Sequence, residues 1–416
     1  MRIKNITNYL LYFAIAILLF GSGYKSAEWN IKRNAREQYT YTIFNANAPV
    51  IKNKEGKNID FSLFWETWEK VEQKYIDEAK LDPQKMFYGS IKGMVAALGD
   101  PYTFFLTPDE NKQTKDELGG KFQGIGAQLG LKENRIVIIA PLKNSPAEKA
   151  GLKAGDLVIK VDGESTKEWT LTQTVSKIRG EKGTKVTLTI ERTGVEKDFT
   201  ITRNEINVPS IELTFENGKG KSVAHLKLNQ FGDNTNEEWD KTIETIAVRW
   251  NNSQISGMVL DLRGNPGGYL ESAVYTASEF LDQGLTVVTQ ETTDLDSQVY
   301  KVRRAGKLLD IPLVVIIDQG SASASEILSG ALRDHKRAKL VGMKSFGKGS
   351  VQEALDLTDG AGLHVTIAKW ILPEGDWING TGIEPQIKVE NTVDEANTIT
   401  SDTDKQLKTA IEELTK

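Results

Sequence analysis

Two short runs with no polar break constrain this chain more than any other feature: MVL within GMVLDLR (257–263) and LVVII within PLVVIIDQ (312–319). A strand that is apolar on both faces must be covered on both, as in a mostly parallel sheet flanked by helices. Each run leads into a helical pattern, over 269–281 and 323–335. The strand SVAHLKLNQF (222–231) likewise precedes a helix over 235–250. KLVGMKS (339–345) adds another strand, followed by a β-rich stretch to about Ile371 and the segment GTGIEPQIKVE (380–390). An α/β core over 206–392 is the expectation, followed by a charged, threonine-rich tail over 393–416 with a short helix at its end. At roughly 100–200 residues per domain, 416 residues leave room for two or three domains.

The stretch 116–205 has a different texture, with short alternating strands and marked turns. SPAE (145–148) places Ser145 at an N-cap, Pro146 at the first helical position and Glu148 three residues on, which is a capping box. TKVTLTIER (184–192) alternates as a half-buried strand, and DLVIKVDG (156–163) closes on an Asp-Gly turn. Upstream, Phe61, Phe64, Trp65, Trp68, Val71 and Tyr75 recur at helical spacing, so 58–115 is expected to be helical. Residues 28–57 are polar and mixed in charge, as in a linker. Residues 1–27 carry Arg2 and Lys4 ahead of an apolar run from Tyr9 to Gly21, the length of a signal-peptide core. Export is expected, by a cleaved signal peptide or an uncleaved membrane anchor, to a periplasmic or other extracytoplasmic site.

Composition narrows the chemistry. Lysine and arginine total 52 against 57 acidic residues, a net charge of −5, which argues against a nucleic-acid partner. With no cysteine, disulfides, thiolate metal sites and cysteine nucleophiles are excluded, and three histidines make a histidine-rich metal centre a poor expectation.

The glycine-rich segments divide into decoys and candidates. GMKSFGKG (342–349) nearly matches a phosphate loop, but Gly349 stands where the magnesium-binding hydroxyl belongs, and a strand-like VQEALDL follows instead of a helix. GIGAQLG (124–130) misses the dinucleotide fingerprint by one residue and lacks its βαβ setting. SASASE (321–326) stands at a strand-to-helix corner, where unpaired N–H groups suit a developing oxyanion. Ser323 with Glu326 is equally a capping box, and pattern alone favours capping. DLRGNPGG (261–268) lies at the carboxyl end of a buried strand, where ligands gather in open α/β sheets; alone, it reads as a plain loop. A serine nucleophile needs a base. His335 is about 18 Å along the helix from Ser323, while His225 and His364 fall within strands. Lys348 is the other option, since desolvation can leave a lysine neutral near physiological pH.

Taken together, these segments resemble the carboxyl-terminal processing proteases, also called tail-specific proteases, a group of exported Ser-Lys endopeptidases. LGDPYTFFLTP (98–108) looks like the family's helical lead-in. FQGIGAQL with SPAEKAGLKAGDLVIKVDG looks like its PDZ domain, and DLRGNPGG with IIDQGSASASEILSGALRDHKRAKLVGMKSFGKGSVQ looks like its catalytic core. The resemblance covers roughly residues 60–390. It implies an α/β, crotonase-like (β/β/α) protease core, an inserted PDZ domain over 116–205 and a helical amino-terminal region.

Carried over, the resemblance makes Ser323 the nucleophile, Lys348 the base and Gln352 the residue that orients the lysine. Ala324 N–H and a glycine N–H, from Gly267 or Gly268, form the oxyanion hole. The turn Gly124, Ile125, Gly126 and Ala127 is the expected site of carboxylate capture, and Arg179 resembles a regulatory arginine. No metal or organic cofactor is implied. The partners implied are proteins or peptides with accessible carboxyl termini, together with a membrane through the amino-terminal anchor and a homo-oligomer or adaptor protein. An inactive PDZ-bearing adaptor is the rival reading.

Overall fold

In a computed structural model the chain is described over residues 60–416, apart from 133–134, 143, 154, 170, 219, 293–296 and 392–402. The expected signal or anchor, the linker 28–57 and the start of the tail lie outside the described residues. The chain divides into two units after Ile91. The first contains helix α1 (Ser62–Lys74) and the start of α2 (Pro83–Ala96). Along α1 the expected aromatic face forms, with the Phe64 and Trp65 rings edge to face at 4.9 Å.

The second unit holds everything else. Strand β1 (Phe104–Leu106) and helix α3 (Pro108–Leu118) belong to the second unit. The segment 99–110 was expected to interrupt the helices, and its Phe-Phe-Leu run pairs there as a strand with a partner some 260 residues away (Phe104 opposite His364).

The PDZ segment is built from β2 (Lys121–Gly124), β3 (Ala127–Lys132), β4 (Arg135–Pro141), β5 (Leu157–Val161), β6 (Glu164–Ser165), β7 (Lys185–Arg192), β8 (Val195–Thr202) and β9 (Asn204–Asn207), with short helices α4 (Pro146–Lys149) and α5 (Leu171–Ile178). Antiparallel pairing of β2 with β9 closes the stem where the chain enters and leaves. The main sheet runs β3-β4-β5-β7-β8, which leaves β3 at an edge. The alternation in TKVTLTIER is realised: Val186, Leu188 and Ile190 are fully buried with Ile138, Val158 and Ile201.

The catalytic-core candidate combines two sheets. The larger has the order β10 (Ile211–Gly218), β11 (Lys221–Leu228), β12 (Met258–Asp261), β15 (Leu313–Ile317), β16 (Lys339–Gly342) and β19 (Ile387–Lys388), parallel from β11 onward. The second consists of β1, β13 (Thr286–Thr292), β14 (Ser297–Lys301), β17 (Ser350–Asp356) and β18 (Gly362–Ile371). Alternate residues of the parallel strands serve opposite faces. Leu226, Leu260, Val315, Ile317 and Leu340 pack with residues of α6 (Thr235–Asn251), α7 (Leu270–Ala277) and α8 (Ala324–Asp334). Val223, Val259, Val314, Ile316 and Val341 face the other way, onto Leu407, Ala410, Ile411 and Leu414 of α9 (Lys405–Leu414).

The reading of 393–416 as a tail therefore needs correction. The helix expected at its end forms, but α9 is the cover of the sheet's second face. Its charged residues share the helix with an apolar stripe at 407, 410, 411 and 414, and that stripe decides its place.

Candidate active site

The strand-to-helix corner between β15 and α8 carries three serines, and their surroundings distinguish them. Ser321 Oγ donates to Leu262 O at 2.8 Å and Ser325 Oγ to Asn265 O at 2.9 Å; both residues are fully buried. Only the middle one, Ser323, is partly open to solvent. Its backbone sits at φ 53°, ψ −115°, a conformation few non-glycine residues adopt, which the tight turn into α8 imposes. Ser323 is also the N-cap of α8, so the capping and nucleophile readings fall on one residue.

Glu326, three residues on, has a wider role than capping. It is fully buried and its carboxylate accepts four hydrogen bonds. Oε2 takes the Ser323 N–H at 2.9 Å and the Lys348 N–H at 2.9 Å, and Oε1 takes Ser345 Oγ at 2.6 Å and the Gly347 N–H at 2.7 Å. A carboxylate has about four lone-pair sites, and all are used here. The serine corner and the lysine loop are thus fastened to one group. Sequence reading had weighed Glu326 as a cap alone.

Burial pushes the Lys348 amine below the usual lysine range, with the carboxylates of Asp100 and Glu326 pulling in the opposite direction. Its Nζ lies over the Tyr102 ring, 5.1 Å from the centroid. Asp100 and Tyr102 come from the lead-in, which the β1–β18 pairing brings to the lysine. Burial raises the Asp100 carboxyl, but hydrogen bonds from Thr366, Thr103 and the Tyr102 N–H, with the charge of Lys348, outweigh it and leave it low. Nothing local in the sequence links this segment to the lysine. Beside the lysine loop opens a cavity of about 790 Å³, lined by Tyr102, Phe346, Gly347, Ile367, Trp377 and Asn379 among others.

Among the described residues no hydrogen bond joins the Ser323 hydroxyl to Lys348 Nζ. Nor does Gln352 reach the lysine. Its Nε2 donates to Ser350 Oγ at 2.9 Å and to Thr366 Oγ1 at 3.1 Å, so its link to Lys348 runs through Thr366 and Asp100. His225 bonds Asp261 at 3.1 Å and His335 bonds Thr286 O at 2.7 Å, while His364 stacks on Phe104, its pKa lowered by burial and by the charge of Lys348.

The glycine turn after β12 abuts the serine corner. A Cβ on Gly267 would come within 2.8 Å of Ser323 Cβ and 2.9 Å of Ala324 N, so only glycine fits there. Ala324 N–H, at the start of α8, has no acceptor among the described residues. Gly267 N–H is taken by Asn265 Oδ1 at 2.9 Å, whereas Gly268 N–H has no acceptor among the described residues. Of the two glycines left open by sequence, Gly268 is the one with a free donor.

In the PDZ segment, Gly124, Ile125, Gly126 and Ala127 form the turn between β2 and the edge strand β3. Gly126 is at φ 73° and packs against Ser145, where a Cβ would clash at 2.5 Å. Arg179 follows α5, forms an ion pair with Glu117 near the end of α3 and lies over the Phe122 ring at 5.4 Å.

Comparison with known proteins agrees with this architecture. The model of peptidase family S41 matches residues 222–389, and that of the PDZ domain matches residues 137–192. The chain is 35% identical to carboxy-terminal processing protease CtpB of Bacillus subtilis over 379 residues, 91% of this chain and 76% of that protein. It is 35% identical to CtpA of the same organism over 353 residues, 84% and 74% of the two chains. The solved structure of a photosystem II D1 C-terminal processing protease superposes with a TM-score of 0.52 at 28% identity, covering 79% of this chain and 92% of that one. A putative S41 protease from Bacteroides fragilis, at 15% identity and a TM-score of 0.57 over 83% and 96% of the two chains, shares the fold. With core and PDZ domain both matched, and two relatives of this identity covered over about three quarters of their length, the chain belongs to peptidase family S41 as a serine-type carboxy-terminal processing protease.

Proposed function

We propose that the chain cleaves proteins near or from their carboxyl termini by a Ser-Lys acyl-enzyme mechanism. Neutral Lys348 accepts the Ser323 proton as Ser323 Oγ attacks the scissile carbonyl, and the N–H groups of Ala324 and Gly268 hold the oxyanion. Collapse of the tetrahedral species breaks the C–N bond, with Lys348 returning the proton to the leaving amine. Lys348 then takes a proton from the water that hydrolyses the ester. The observation that carries this reading is the Glu326 carboxylate, which ties the backbones of Ser323 and Lys348 to one oxygen while burial lowers the lysine's proton affinity. With Nζ over Tyr102 and no bond to Ser323, we read the arrangement as a resting one that completes itself when Lys348 and Gln352 change rotamer. The cavity beside the lysine loop would take substrate next to the scissile bond.

The PDZ segment is proposed to add an extended substrate tail to the free edge of β3, capture its carboxylate at the 124–127 turn and gate the protease, with Arg179 in the switch. The two-sheet core with helices outside supports the crotonase-like description, and the basic-then-apolar start supports export. Ser323→Ala and Lys348→Ala should each abolish cleavage of an unstructured protein with an apolar tail, read by mass spectrometry of the products, without loss of fold. Normal turnover in either variant overturns the assignment.

A further inference from the structure

The glycine turn and the serine corner must present two N–H groups to one oxygen. Beside the Ser321–Leu262 and Gly264–Asp318 bonds, one buried residue bonds to both segments next to the two donors. Asn265 is fully buried, and every polar group it carries is used. Its Nδ2 donates to Leu228 O at the end of β11 (2.7 Å), and its Oδ1 accepts the Gly267 N–H (2.9 Å). Its N–H donates to Leu262 O (3.2 Å), and its carbonyl accepts the Ala322 N–H (3.0 Å) and Ser325 Oγ (2.9 Å). Its Oδ1 therefore holds the glycine turn, while its carbonyl holds the segment carrying Ser323 and Ala324.

The next peptide is held from its other side. Gly267 O accepts the Phe231 N–H at 2.9 Å, and Tyr269 N–H donates to Phe231 O at 2.8 Å. In a trans peptide the carbonyl and the following N–H point in opposite directions, so Gly268 N–H is turned away from Phe231. Were Asn265 Oδ1 absent, Gly267 N–H would be an orphan donor in a buried turn whose glycines, at φ 99° and 134°, resist other conformations very little.

We propose that Asn265 is the positioning residue of the oxyanion hole. By consuming the Gly267 N–H and bonding the serine corner through its own carbonyl, it sets Gly268 N–H and Ala324 N–H at one spacing. This deepens the Ser-Lys reading and rests on it.

The test is steady-state cleavage of an unstructured tailed substrate by the full chain carrying Asn265→Ala or Ser325→Ala, with thermal unfolding to check the fold. Loss of one oxyanion donor should lower kcat by about 10²–10³-fold in Asn265→Ala while KM stays within about threefold. Affinity for a peptide aldehyde, whose adduct oxygen needs the hole, should weaken in parallel. Ser325→Ala removes only the strap to Asn265 O and should lower kcat by about tenfold, again at unchanged KM. A folded Asn265→Ala enzyme with wild-type kcat, or one with raised KM alone, overturns the proposal. If Asn265→Ala does not fold, wild-type kcat in Ser325→Ala overturns it instead. A Ser323→Ala control that still cleaves would defeat the Ser-Lys reading, which is a separate outcome from either of these.

Discussion

At the scale of single residues, the site is governed by what surrounds one amine. Lys348 is the proposed base, and a base must be uncharged to work, so kcat/KM should rise with pH through the depressed lysine pKa, below the usual 10.5. The Asp100 carboxylate favours the ammonium and so opposes the burial that depresses it. Asp100→Asn removes that support, lowers the lysine pKa further and should move the ascending limb of the pH profile to lower pH. An unmoved limb, or one displaced upward, would mean that the amine does not sense Asp100. Ser323 and Lys348 were named in sequence through family likeness, since pattern alone favoured a helix cap at the first and left the second as one option for a base. Asp100 and Tyr102 were not legible as neighbours of the lysine, because some 250 residues separate them from it and the pairing of β1 with β18 brings them together. Gln352 was placed by likeness, and its amide is held by Ser350 and Thr366 instead.

At the scale of elements, the buried strands were the most readable part of the chain, since an unbroken apolar run leaves few arrangements that bury it. Helix α9 was the least readable. Its lysines and glutamates mask an apolar stripe whose partners lie on four different strands. That interface should be maintained by apolar contact and only marginally by its surface ion pair. Ile316→Ala, on the face beneath α9, should cost about 2–5 kcal/mol in urea unfolding. Lys339→Ala, which removes an exposed pair with Glu413 at 3.0 Å, should cost under about 1 kcal/mol. Equal costs would show that packing does not dominate this interface.

At the scale of the whole molecule, a continuous set of contacts leads from the PDZ segment towards the glycine turn at 267–268. Arg179 pairs with Glu117; the end of α3 then bonds the 230–234 loop, with Gln230 Nε2 on Glu117 O at 3.1 Å and the Asp233 N–H on Leu118 O at 3.0 Å. Phe231, in that loop, grips Gly267. Glu117→Gln should therefore leave tail-peptide affinity at the PDZ segment unchanged while weakening the effect of a bound tail on cleavage rate. Coupling between sites is typically about 1–3 kcal/mol, so a rate effect of about 5–150-fold should shrink towards none. Retention of the full effect would remove these contacts from the gating scheme.

The carboxylate of Glu326 has a consequence for how such an enzyme can change. Because the proposed nucleophile and base hang from the same anchor, neither can be shifted by a neighbouring substitution without dragging the other. Adaptation to a new substrate is thereby steered away from the reacting pair and into the walls of the adjoining cavity and the PDZ groove, where side chains can vary while the spacing of the chemistry stays put.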